Sequence, residues 1–70
     1  MASFGIGDKI HLIESNGNIY EIVATSGGCY ELEAIEYYAP EDLGDGIMIY
    51  GFGQSTWVAG FFEYNFKFVK

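Results

Sequence analysis

Turn residues break this chain about every ten positions, and each interval between them is short and apolar. Ten glycines supply much of that punctuation. The runs they separate are rich in Ile, Val, Tyr and Phe, which fit a pleated surface. Helix signals are poor throughout. Regularly spaced short strands point to an all-β sandwich or barrel. The expected first strand is Lys9–Glu14, with Ile10 and Leu12 on one face and Lys9 and His11 on the other. An Asn-Gly pair at Asn16 and Gly17 favours positive φ and a tight hairpin. A second strand is expected over Ile19–Thr25, a turn over Ser26–Gly28, and a third strand over Cys29–Tyr38. In that third strand Tyr30, Leu32 and Ala34 oppose Glu31 and Glu33, until the alternation slips at Ala34–Ile35, which predicts a β-bulge.

Residues Ala39–Gly46 form the longest expected loop, with one helical turn where Pro40 begins "PEDL" and Glu41 and Asp42 meet the positive end of its dipole. Further strands follow at Ile47–Gly53 and Thr56–Ala59. A single 3-10 turn is expected over "FFEYNF", then a closing strand "FKFVK" with Phe66 and Phe68 on one side. Trp57 is expected in the core, where truncation to alanine costs ~3–5 kcal/mol. The order suits one small antiparallel barrel of five to six strands over residues 1–70.

A 70-residue chain buries only ~60% of its unfolded surface, so it needs reinforcement. One cysteine, Cys29, excludes an internal disulfide and favours a reduced compartment. Six Phe, six Tyr and one Trp supply large buried areas instead, and a homodimer is an open alternative. No leader pattern opens the sequence and no apolar run approaches ~20 residues, so a cytoplasmic location is expected.

The net charge is −7, and no Lys or Arg lies between Ile10 and Phe66. That excludes nucleic-acid binding through phosphates, which needs clustered cations, and binding to an anionic membrane. A protein with a basic face is the partner that such a field attracts.

Chemistry is sparse. His11 reads as a solvent-facing strand residue and Cys29 as a small hydrophobe; as a nucleophile and base they would need to meet in space. Together they cannot supply the four ligands of structural zinc, and no cofactor is expected. Glu41, Asp42 and Asp45 lack the spacing of a calcium loop. "GFGQS" at Gly51–Ser55 lacks the Lys and helix of a phosphate loop. Glu31 and Glu33 read as a wet strand face rather than an acid–base pair. What stands out is an acidic stretch: Glu31, Glu33, Glu36, Glu41, Asp42 and Asp45, with Tyr37 and Tyr38 among them. Carboxylates pair with arginine forks, and tyrosine anchors interfaces. Adjacent strand residues face opposite ways, so one of Tyr37 and Tyr38 is expected to be free for a partner.

Gly7 and Asp8 before the first strand, Gly17, Tyr20 and Ile22 in the second, and Trp57, Phe62, Phe66 and Val69 at the end carry a resemblance. With them the chain resembles the small SH3-like β-barrel proteins of bacteriophages; the acidic segment Glu31–Gly46 departs from that pattern. The resemblance implies a non-enzymatic inhibitor of a bacterial host defence protein, as anti-CRISPR proteins are. It would occlude a basic, nucleic-acid-binding surface in the host cytoplasm. The alternative is an assembly module that self-associates, or binds a virion or host protein, through exposed aromatics.

Overall fold

The computed structural model describes residues 4–15, 17–44 and 46–69. Asn16, Asp45 and Lys70 lie outside them, as do the side chains of Phe61 and Phe62, so the roles expected of Asn16, Phe62 and Asp45 fall outside the described residues. The chain is all-β and antiparallel. Its strands are β1 (Lys9–Leu12), β2 (Ile19–Ser26), β3 (Cys29–Glu36), β4 (Glu41–Asp42), β5 (Met48–Ile49), β6 (Ser55–Ala59) and β7 (Phe66–Phe68). A 3-10 turn, Gly60–Asn65, joins β6 to β7. Five strands form one sheet in the order β6-β3-β2-β1-β7, and β4 and β5 form a separate hairpin. Among the described residues, strand pairing therefore ends at β6 on one side and at β7 on the other.

The register follows the sequence pattern closely. Gly27 and Gly28 both take positive φ, 56° and 80°, in the two-residue turn that pairs Ser26 with Cys29. That is the turn chemistry a right-twisted hairpin requires. The slip expected at Ile35 is present: Ile19 pairs with Glu36 but Tyr20 pairs with Ala34, leaving Ile35 as the extra residue. A second irregularity leaves Val23 extra on β2, because Ile22 pairs with Leu32 and Ala24 with Glu31.

Inward residues of these strands make the core. Ile10, Tyr20, Ile22, Leu32, Ala34 and Val58 are buried, with Phe4, Leu43, Ile49 and Phe66 packed in the same cluster. Each fully buried Ile or Leu stabilises the fold by ~1.5–3 kcal/mol. Phe4 packs edge-on against Phe68 at 5.0 Å and against Tyr30 at 5.9 Å between ring centroids. These pairs close one end of the sheet.

Four expectations are corrected. Pro40–Leu43 is not a helical turn: Glu41 and Asp42 are extended and pair with Ile49 and Met48. Alternation explains why, since burying Glu41 and Leu43 while exposing Asp42 needs a period of two. The strand expected over Ile47–Gly53 is only Met48–Ile49, because residues 50–54 fold into a tied loop. β1 ends at Leu12, so six residues connect it to β2 rather than a tight hairpin. Trp57 is 43% exposed, because its partner Glu31 faces outward; Val58 takes the core position instead.

Candidate functional site

Residues directly opposite one another in an antiparallel sheet share a face. One row across the outer face runs Lys9, Glu21, Glu33, Ser55, set by the pairs Lys9–Glu21, Glu21–Glu33 and Glu33–Ser55. The next outward position on β3 is Glu31, paired with Trp57 on β6. Ser55 Oγ donates to Glu31 Oε2 at 3.1 Å, a diagonal link within this face. The face thus sets Glu21, Glu31 and Glu33 beside an exposed indole. Glu21 and Glu33 oppose each other as like charges, which destabilises a sheet by ~0.2–1 kcal/mol per pair. Lys9 flanks Glu21 alone.

β3 continues into the second half of the site. Glu36 is exposed, and Tyr38 Oη donates to Glu36 Oε1 at 3.2 Å. This contact to the carboxylate raises the Tyr38 pKa. The Tyr38 ring is 68% exposed and rests against Gly17, where an added Cβ would meet it at 3.1 Å. Tyr37 turns the other way and packs on the core. The expectation that one of the two tyrosines is free is met by Tyr38, and Tyr37 is withdrawn from the site.

Tyr38 is positioned from below by a buried polar network. Asn18 is fully buried before β2. Its Oδ1 accepts from the Tyr38 N–H at 2.7 Å, and its Nδ2 donates to the Ala39 carbonyl at 2.7 Å. Nδ2 also donates to Tyr20 Oη at 3.3 Å, and Tyr20 Oη donates to Glu41 Oε1 at 2.6 Å. Burial, then the bond to Glu41, pushes the Tyr20 hydroxyl pKa far upward. Glu41 is therefore an internal acceptor, 9% exposed, and not a docking residue as its charge suggested. Asp42 is exposed and caps the β4–β5 hairpin through the Gly44 N–H at 2.7 Å.

An open groove of about 520 Å³ lies between the end of β1 and the β4–β5 hairpin. Leu12, Ile13 and Leu43 give it an apolar wall, Glu14 and Asp42 give it carboxylates, and the Tyr20-bonded Glu41 only borders it. That combination suits the alkyl stem and charged head of a lysine or arginine.

Sequence reasoning missed the aromatic half of the site. Tyr50 and Phe52 are 66% and 76% exposed on the loop before β6. The loop is tied at both ends. Gln54 Oε1 accepts from the Tyr50 N–H and Gln54 Nε2 donates to the Met48 carbonyl. The Gly53 N–H donates to the Ala34 carbonyl, and the Ala34 N–H to the Gln54 carbonyl. These bonds hold the loop beside the β3 stretch that carries Glu33 and Glu36. The one available signal was alternation, which puts Tyr50 and Phe52 on one side, but it reads equally as a strand.

The nucleophile–base idea finds no geometry. His11 is level with the start of β2 and Cys29 with its end, roughly 20 Å apart along a strand. His11 Nδ1 donates to the Leu12 carbonyl at 2.7 Å. Among the described residues, no three His, Cys, Asp or Glu are arranged to hold a metal ion. Nor is any helix among them long and apolar enough to cross a membrane. Comparison with known protein families, curated proteins and solved structures gives no match.

Proposed function

We propose that this chain is a non-enzymatic docking protein whose acidic, aromatic face occludes a basic, nucleic-acid-binding surface of a partner. The observation that carries the reading is the outer row itself. Glu21 and Glu33 stand directly opposite, with Glu31 next to them; Lys9 ends the row, and Lys67, opposite His11, is the other lysine on that face among the described residues. A cationic partner relieves that repulsion, so binding gains what folding gives up. Trp57 is the aromatic anchor on that face, and Tyr38, Tyr50 and Phe52 are further exposed aromatics that a partner can use. Because Gln54 pre-orders the loop, little freedom is lost when Tyr50 and Phe52 bind.

We carry over the phage inhibitor role, an anti-CRISPR-like block of a host defence protein in the bacterial cytoplasm, as the biological setting of this proposal. Its support in the fold is the SH3-like succession: a sheet ordered β6-β3-β2-β1-β7, with a 3-10 turn before the final strand. In the barrel this reading expects, β6 and β7 would be the two edges left unpaired with each other.

The test is capture from bacterial lysate at low and high salt, alongside the triple variant Glu31→Lys, Glu33→Lys, Glu36→Lys. A partner held by the wild type, released by salt and not captured by the folded variant supports occlusion, more strongly if polynucleotide competes for it. Equal capture by wild type and variant would reject it.

A further inference from the structure

We propose that β6 is a dimerisation edge: two copies of the chain pair antiparallel through Ser55–Ala59, on a two-fold axis at Trp57. This inference does not depend on the docking reading.

The bonding alternation of the β3–β6 ladder decides which backbone groups are free. The Gly60 N–H donates to the Gly28 carbonyl at 2.7 Å, and the Ala34 N–H to the Gln54 carbonyl at 2.9 Å. Between these two bonds, every second pair exchanges hydrogen bonds, which selects Tyr30–Val58 and Leu32–Thr56. The N–H and C=O groups of Ser55 and Trp57 and the N–H of Ala59 therefore point out of the sheet, while the Ala59 carbonyl, at the N-cap of the 3-10 turn, takes that turn's first bond. Among the described residues, no turn or loop main-chain group bonds to the outward groups of Ser55 and Trp57 or to the Ala59 N–H.

Natural edge strands are guarded by lysine, proline, bulges or brevity. β7, the opposite edge, is three residues long, contains Lys67, and has its Phe66 N–H donated to the Glu63 carbonyl. β6 reads "STWVA", five residues with no charge, no proline and no register shift. An unguarded strand of this kind is a template for another strand.

A second copy is the occupant that fits without further requirement. The outward triplet is centred on Trp57, so a two-fold axis there maps it onto itself. Ser55 of one copy then opposes Ala59 of the other, and the two Trp57 residues face each other. On the order of four main-chain hydrogen bonds form: two between the opposed Trp57 residues and one from each Ala59 N–H to the opposed Ser55 carbonyl. The neutral strand sets no like charges against each other, and the half-exposed indoles cover one another. A five-residue edge is far smaller than a standard interface of ~1,200–2,000 Å², so the dimer is weak and depends on concentration. Each chain carries −7, so salt strengthens this contact, whereas it loosens a charge-driven partner.

Sedimentation equilibrium from micromolar to millimolar protein, at low and high salt, reads the association directly. Trp57 is the single tryptophan, so its emission reports the same event. The expected result is a monomer–dimer equilibrium that tightens with salt, with emission moving to the blue as dimer forms. Trp57→Pro removes the outward N–H together with the indole, and Trp57→Glu sets two carboxylates on the axis; each is expected to stay monomeric. Trp57→Glu replaces an exposed side chain and provides the answer if the proline variant does not fold. A wild type that is monomeric at millimolar concentration and high salt overturns the proposal. So does a folded Trp57→Glu variant that dimerises as the wild type does.

Discussion

Tyr20 shows how much one hydroxyl can hold. It is buried, receives an N–H from Asn18 and donates to Glu41, so it links β2 to β4 through a polar path inside an apolar cluster. Tyr20→Phe leaves the Glu41 carboxylate without its donor, and a loss of about 1–3 kcal/mol is expected in urea denaturation at neutral pH. The pH dependence has a definite sign. The folded-state pKa of Tyr20 lies above the ordinary 10.0, so the unfolded chain gives up this proton first. Its contribution is therefore complete below pH ~10 and declines as the pH rises beyond that point. Urea midpoints from neutral pH into the alkaline range should fall faster for the wild type than for Tyr20→Phe. Parallel curves would remove the assignment. Trp57 makes the opposite case: a large aromatic whose register, not its hydrophobicity, decides its place. With its ring half in solvent, Trp57→Ala is expected to cost about 1 kcal/mol or less, well under the ~3–5 of a core aromatic. Thermal melting of the monomer at low concentration checks it.

Element by element, the strands were legible where period and turn chemistry agreed. β2, β3 and their Gly27-Gly28 turn fall where alternation and paired glycines put them, and the Ile35 bulge was visible as a phase slip. The β4–β5 hairpin was not legible, because Pro40 followed by two acids has the local chemistry of a helix start. Only the tertiary burial of Glu41 and Leu43 overrides it. The contact between the β2–β3 turn and the 3-10 turn was equally invisible. Gly60 approaches the Gly28 carbonyl so closely that an added Cβ would collide with it. Gly60→Ala is therefore expected to destabilise by about 1–3 kcal/mol, as overpacking does. Gly51→Ala serves as the control, since open space surrounds that position. Equal melting temperatures for the two variants would count against the close approach.

At the scale of the whole molecule, charge sets behaviour. Most of the acids were legible as a cluster, but composition could not say which of them point outward. Glu41 went inside, and Glu21, distant in sequence, joined Glu33 only through strand pairing. The aromatic anchors were hidden for the same reason, because facing is a property of register. Two opposite responses to salt are expected from one small body: partner capture through the glutamate row weakens, and β6 pairing tightens. Asn18 has a consequence for how such a surface can be redirected. Its carboxamide fixes the main chain at Tyr38 and Ala39. A substitution there swings the ring toward a new bearing without altering the ring itself. Positions 18 and 38 thus work as one aiming device, and a library meant to retarget the protein should randomise them together.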